Sequence, residues 1–248
     1  MIALIERARE FKRERDALAA QADGRGDLRA IANLVAPSTR VLDIGCGDGA
    51  LMALLEEEKG VDARGMELEQ RNVNAAVARG LSVVQGDADT DLTAYPDDGF
   101  DTVILSRTIQ ATRAPDKVLR EMLRVGRRVI VSFPNFGYWR FRGQLMFGGH
   151  MPVTEFLDYT WYETPNIHFC TVTDFLDLCD TVGARVERAI AFNGQGREMR
   201  FGREALESVA KAGAGRRGVP LWFINLIAEQ AVMVLSRDDA TAVAKRAP

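Results

Sequence analysis

The chain has 248 residues, 32 basic and 35 acidic side chains and a net charge of −3, so it has no general attraction for nucleic-acid phosphates. At this length about 70–75% of the unfolded surface is buried on folding, enough to need no disulfide or metal. The cysteines Cys46, Cys170 and Cys179 are odd in number and lack metal-ligand spacing, no run approaches the roughly twenty apolar residues of a membrane span, and residues 1–7 lack a signal-peptide core; a cytoplasmic chain in a reducing compartment is expected.

Residues 5–20 are rich in Arg, Glu, Lys and Ala with apolar residues only intermittently spaced, which predicts a solvated helix. Asp23-Gly24-Arg25-Gly26 reads as a linker, so residues 1–26 are expected to extend a single domain spanning 27–248. Leu28, Ile31, Leu34 and Val35 then form a helical apolar stripe. The run Val41-Leu42-Asp43-Ile44-Gly45-Cys46-Gly47-Asp48-Gly49 describes a buried strand entering a glycine loop, with a helix to follow over 50–59. Asp43 falls at the carboxyl end of the strand, where an open α/β sheet places its ligands. The G-x-G-x-G spacing departs from the G-x-G-x-x-G of a dinucleotide fingerprint. An acid before the loop repels phosphate and accepts hydrogen bonds from an ammonium group. That pattern favours the amino-acid moiety of S-adenosylmethionine over NAD, with a plain tight turn as the alternative.

A second strand, 61–66, ends in Glu67, whose carboxylate is placed to accept both ribose hydroxyls, each charged bond contributing roughly 1.5–3 kcal/mol. A third, 82–85, runs into Gly86-Asp87-Ala88, where Asp87 would accept from the adenine amino group and Ala88 would offer its amide, although Gly-Asp is also ordinary turn chemistry. A fourth buried strand, 100–106, brings Ser106 and residues 107–110 beside the glycine loop. Cys46 reads as a packed loop residue, because neither His150 nor His168 is near it in sequence.

Beyond a fifth strand, 128–133, an insertion at about 134–170 carries Phe136, Tyr138, Trp139, Phe141, Phe147 and further aromatics, where a substrate lid would sit. Trp139-Arg140-Phe141-Arg142 has the composition of a nucleic-acid stacking strip but no surrounding positive excess. His168 reads as a hydrogen-bonded loop residue, or as a general base. After a helix at 172–182, residues 184–192 and 229–236 have strand character and would form an antiparallel hairpin closing the sheet. Between them an insertion at about 194–228 contains a predicted helix at 203–212, a basic glycine stretch at 213–218 and the apolar Leu221-Trp222-Phe223-Ile224. That patch reads as packed on the domain or as a partner surface.

These strand ends match the signature of class I S-adenosylmethionine-dependent methyltransferases. The resemblance implies a Rossmann-like α/β fold of seven strands, mostly parallel with a C-terminal antiparallel hairpin. The runs 40–49, Lys59-Gly60-Val61, 63–67, 80–91, 106–110, Ser132-Phe133-Pro134-Asn135-Phe136-Gly137 and Thr164-Pro165-Asn166-Ile167-His168 further resemble the MetW family of methionine biosynthesis proteins, over roughly 27–193 and again at 225–235. The expected set holding S-adenosylmethionine or S-adenosylhomocysteine is Asp43, Gly45, Cys46, Gly47, Glu67, Leu68, Asp87, Ala88 and Ser106. The family resemblance implies association with homoserine O-acyltransferase (MetX), supporting the acylation of homoserine, with the adenosyl ligand as a sensed signal. The alternative is an active methyltransferase. Methyl transfer needs in-line positioning more than acid–base help, so the lack of an assignable catalytic residue does not oppose it. Ser106-Arg107-Thr108-Ile109 is no Asn-Pro-Pro-Tyr type element, which argues against N-methylation of nucleobases or amides.

Overall fold

The computed structural model describes residues 26–154, 157, 159–193, 198–199 and 221–237. The helix expected at 5–20, the linker up to residue 25, the helix at 203–212 and the glycine stretch at 213–218 lie outside them. Eight strands form one sheet: β1 Arg40–Ile44, β2 Asp62–Glu67, β3 Val83–Gln85, β4 Phe100–Ser106, β5 Gly126–Pro134, β6 Ala184–Phe192, β7 Glu198–Met199 and β8 Gln230–Arg237. The helices are α1 Gly26–Leu34, α2 Ala50–Lys59, α3 Gln70–Ala78, α4 Pro115–Val125, α5 Trp139–Gly143, α6 Val172–Val182 and α7 Leu221–Ile227.

The strand order is β3-β2-β1-β4-β5-β8-β6-β7. β1 to β5 pair in parallel, whereas β8 runs antiparallel between β5 and β6. The eighth strand is the two-residue β7, paired with Ala191 and Phe192 at the sheet edge. Two residues are too short to show the alternation that marks a strand in sequence, which is why seven were expected.

Helices cover both faces, so the central strands are apolar almost throughout, and the pleat sends successive residues into opposite cores. Val41, Ile104 and Ile130 join one core with Ile31 of α1 and Met52 and Leu55 of α2. Leu42, Val103, Leu105, Val129 and Val131 join the other with Leu119 and Met122 of α4 and Phe175 of α6. Phe133 stacks on Phe175 with centroids 4.4 Å apart. α6 starts at a capping box, in which Thr171 accepts from the Asp174 amide and the Asp174 side chain accepts from the Thr171 amide, satisfying two donors that a helix start otherwise leaves open.

The sequence builds β1 to β3 outward on one side of β1 and then returns to place β4 on the other side. Such a reversal opens a crevice at the carboxyl ends of the strands. Asp43, Glu67, Gln85 and Ser106 all lie at or next to those ends.

Candidate functional site

The glycine loop leaves β1 with Gly45, Gly47 and Gly49 all at positive φ, a conformation that residues bearing a Cβ avoid. The Gly45 amide donates to Met66 O at 2.8 Å, fixing the loop to the end of β2. A Cβ at Gly45 would fall 2.6 Å from Thr108 Oγ1, whereas one at Gly47 would meet nothing within 4 Å. Gly45 therefore lets the segment after β4 close down on the loop, and Gly47 leaves bare main chain open to a ligand. Gly65, midway along β2, serves the packing below: a Cβ there would lie 2.7 Å from Cys46 Sγ and from Met52 Sδ.

Two carboxylates lie beneath this loop. Asp43 is 2% exposed and Glu67 7%. Glu67 Oε2 accepts from the Gly47 amide at 2.8 Å and Oε1 from the Glu69 amide at 2.9 Å, so the side chain is oriented before any ligand arrives. Each carboxylate oxygen has a second lone pair, which leaves capacity for sugar hydroxyls. Asp43 differs: its Oδ1 is buried and accepts no hydrogen bond from the described residues. Burial, with the Glu67 charge adding to it, pushes its pKa up to about 7. A buried acceptor left alone costs about 1–3 kcal/mol, and a ligand cation would satisfy it.

Cys46 is buried in the core under the loop. Burial first, then the charges of Asp43 and Glu67, raise its thiol pKa, so it is a packing residue and no thiolate nucleophile at neutral pH. Leu68 follows Glu67 as an exposed apolar side chain at the rim.

Asp87 lies just beyond β3, with its carboxylate engaged. Oδ1 accepts from the Asp89 amide at 2.9 Å and Oδ2 pairs with Arg113. Ala88 is packed against the second core. Asp89, which the sequence reading did not single out, accepts the Arg113 and Ala114 amides at 2.8 and 2.9 Å and so ties this loop to the start of α4. At the end of β4, Ser106 Oγ lies 3.2 Å from Ser132 Oγ of β5. All nine expected positions thus fall on the loop or at the ends of β1 to β4.

Arg107 and Gln110 lie in the segment that the sequence places beside the glycine loop, and their partners, Asp27 among them, are brought to them by the fold. Arg107 has φ 56 and its Nε lies 3.1 Å from Asp27 Oδ2, which also accepts from Gln230 Nε2 at 3.2 Å. Gln110 is buried; its Nε2 donates to Arg107 O at 2.5 Å, while Oε1 is buried with no partner among the described residues. Gln110 O accepts the amides of Ile167 and His168 at 3.0 and 2.9 Å, joining the aromatic insertion to the segment over the glycine loop. Apart from the local Gln110–Arg107 bond, these contacts join residues 57 to 203 positions apart in sequence, so only the folded chain reveals them.

The insertion has its own small core of Tyr138, Phe141 and Leu157 with Phe136 against it. Trp139-Arg140-Phe141-Arg142 forms a short helix in which Phe141 is buried, with an edge contact to Tyr138, while Trp139, Arg140 and Arg142 are exposed, so the two aromatics do not share one outward face. A groove lined by Phe136, Met151, Leu157, Tyr159, Trp161 and Phe169 opens beside it. In α7, Ile224 and Asn225 are buried while Trp222 faces out, so the predicted apolar patch is divided between packing and surface. Among the described residues there is no cluster of three metal-ligating side chains and no helix long and apolar enough to cross a membrane.

Comparison with known proteins follows this geometry. The family model described as "Methionine biosynthesis protein MetW" matches residues 25–234. A relative from Rhodopirellula baltica, "Bifunctional methionine biosynthesis protein MetXA/MetW", is 36% identical over 174 residues, 66% of this chain. The chain spans only 28% of that relative's length. Among solved structures, an S-adenosylmethionine-dependent methyltransferase from Mesorhizobium loti superposes with TM-score 0.60 at 16% identity, covering 87% of this chain and 100% of that one. One from Archaeoglobus fulgidus gives 0.59 at 15% identity, covering 90% and 94%. At such identities the structures establish the fold, and the family model establishes the lineage: the chain belongs to the MetW family of methionine biosynthesis proteins, built on the class I methyltransferase fold.

Proposed function

We propose that the crevice binds S-adenosylmethionine or S-adenosylhomocysteine and that the protein acts with homoserine O-acyltransferase (MetX) to support homoserine acylation. The observation that carries the ligand half is Asp43. A carboxylate that is buried, unsatisfied at Oδ1 and set under bare main chain is complementary to an ammonium group and hostile to a phosphate. Glu67, already aligned by two amides, grips the ribose hydroxyls. Leu68, Asp87 and Ala88 border the adenine, Asp87 through whatever acceptor capacity its pairing with Arg113 leaves, and Ser106 closes the far side.

The partner half draws on the surface and on the relative. Met146, Phe147 and Trp161 stand 79%, 85% and 73% exposed, and exposed aromatic and Met side chains are enriched at interaction surfaces. The Rhodopirellula baltica protein carries both names, MetXA and MetW, in one polypeptide, which supports a working association of the two activities. If the adenosyl ligand binds free and complexed protein with different affinity, it changes the partner's activity by linkage.

The test is acyltransferase activity with and without this chain, across a titration of S-adenosylmethionine. Stimulation by the chain, modulated by the ligand, is the expected result. No effect of the chain removes the partner model, and no effect of the ligand removes the sensor model. A second reading, methyl transfer to an acceptor in the aromatic groove, draws on the link between that groove's segment and Gln110. It requires release of S-adenosylhomocysteine from labelled S-adenosylmethionine in the presence of pathway metabolites or the partner.

A further inference from the structure

We infer that the aromatic groove of the insertion after β5 receives a guanidinium, an arginine side chain presented by the chain's protein partner. This inference rests on the partner reading above and assigns it a site and a chemistry. It starts from Phe136 and from Thr164 and Asn166, which belong to two separate sequence runs and which the adenosyl reading leaves without a role. The fold brings them together. The Phe136 amide donates to Cys170 O at 3.1 Å, and Phe136, Thr164 and Asn166 line one groove with Tyr159, Trp161 and Phe169.

Rings form much of the wall. The centroids of Phe136 and Phe169 lie 4.8 Å apart with the ring planes at 59°, so their faces meet at an angle. An aromatic face carries negative potential and attracts a cation held within about 6 Å of it. Charge points the same way. Glu163 Oε2 accepts from the hydroxyl of Thr160, itself a groove residue, at 2.6 Å, which fixes a carboxylate at the groove's edge. Residues 151–169 carry acids at 155, 158 and 163 and neither lysine nor arginine, and none of the described residues lining the groove is charged. A cation entering here meets attraction and no repulsion.

Exposure decides what carries the cation. Trp161 is 73% exposed, Phe169 55% and Tyr159 49%, whereas a small-molecule site encloses most of its ligand's surface. A cation tethered to a protein needs only its tip covered. Among protein cations the guanidinium fits these walls: it is flat and weakly hydrated, and it stacks on aromatic faces while its N–H donors stay free at the edge. Thr164 and Asn166 bring side-chain oxygens to the same groove as acceptors for those donors. The ammonium of lysine is more strongly hydrated, and an aliphatic side chain would leave the acceptors and Glu163 without a use.

The experiment is calorimetry of purified homoserine O-acyltransferase with the full-length chain, beside an NMR titration of the chain with Nα-acetylarginine amide and, as the uncharged control, Nα-acetylnorleucine amide. Trp161→Leu keeps apolar bulk and removes the ring; it is expected to weaken acyltransferase binding about ten-fold or more, the loss of an interface hot spot. Trp161→Phe is expected to keep most of the affinity, and Glu163→Gln to lose about three-fold and to flatten the salt dependence. The arginine amide is expected to shift the Trp161 indole resonance saturably, that resonance being the one missing from Trp161→Leu, and the norleucine amide to leave it in place. Because these side chains are exposed, melting temperatures are expected to be unchanged, which reports that the variants fold. Wild-type affinity in Trp161→Leu, equal losses in the Leu and Phe variants, or equal shifts by the two amides overturns the inference and leaves the partner reading standing. Failure of the wild type to bind the acyltransferase overturns the partner reading and this inference together.

Discussion

Asp43 occupies a position that costs the folded chain stability, since its buried Oδ1 accepts no hydrogen bond from the described residues. Its pKa of about 7, against an ordinary 3.8, means that between those values the folded protein holds a proton that the unfolded chain has released. Stability from this group is therefore fully present below about pH 4 and is lost as pH rises through about 7. Two outcomes are expected. Thermal melts from pH 5.5 to 8 should fall less for Asp43→Asn than for the wild type, with the variant the more stable at pH 8. Affinity of the wild type for S-adenosylmethionine should rise with pH up to about 7 and then level off, because the ammonium requires the ionised carboxylate, whereas Asp43→Asn should bind at least about ten-fold more weakly at pH 8. Asp43 could be singled out in sequence because a polar residue ending an apolar strand before glycines is an anomaly. The sequence places residues 107–110 beside the glycine loop but does not show the partners of Arg107 and Gln110, Asp27 among them, since those lie far along the chain.

Two elements that the sequence describes only in part, the glycine loop and the segment after β5, carry different burdens. Gly47→Ala places a methyl that meets nothing within 4 Å among the described residues apart from its chain neighbours, so its folding cost should be limited to backbone strain of about 1 kcal/mol. Its adenosyl affinity should nevertheless fall by about ten-fold or more, beyond what 1 kcal/mol represents, a separation that melting curves and calorimetry would display side by side. Asn135 has the opposite profile. Fully buried, it donates to Asn225 O and Ala228 O at 2.8 and 2.7 Å and accepts from the Gly137 and Val172 amides at 3.0 and 3.2 Å. One side chain thus joins β5, α6 and α7. Asn135→Ala should destabilise the fold by about 2–4 kcal/mol in denaturant titration, because it strands several buried backbone groups, with ligand affinity per folded molecule little changed. The run containing Asn135 pointed to the family in sequence, and the fold shows why that residue type is needed there.

At the scale of the whole molecule, the sheet brings Asp43, Glu67 and Ser106 to the carboxyl ends of its strands, and the insertion after β5 exposes Phe147 and Trp161. Replacing Phe147 and Trp161 together by Ser should remove the chain's effect on acyltransferase activity and leave calorimetric binding of S-adenosylmethionine intact; equal stimulation by the double variant would exclude these side chains from the partner contact. Apolar strands and alternating glycines determined, without any structure, the α/β class, seven of the eight strands and the place of Asp43 and Glu67 at strand ends, because those signals are local and each is legible within a single run of residues. Tertiary structure alone decided that β8 enters between β5 and β6, that Phe141 turns inward while Phe147 stays in solvent, and that Asp27 meets Arg107. The reason is physical: burial and ion pairing depend on which distant surfaces the packed sheet brings together, and a linear pattern does not contain that distance.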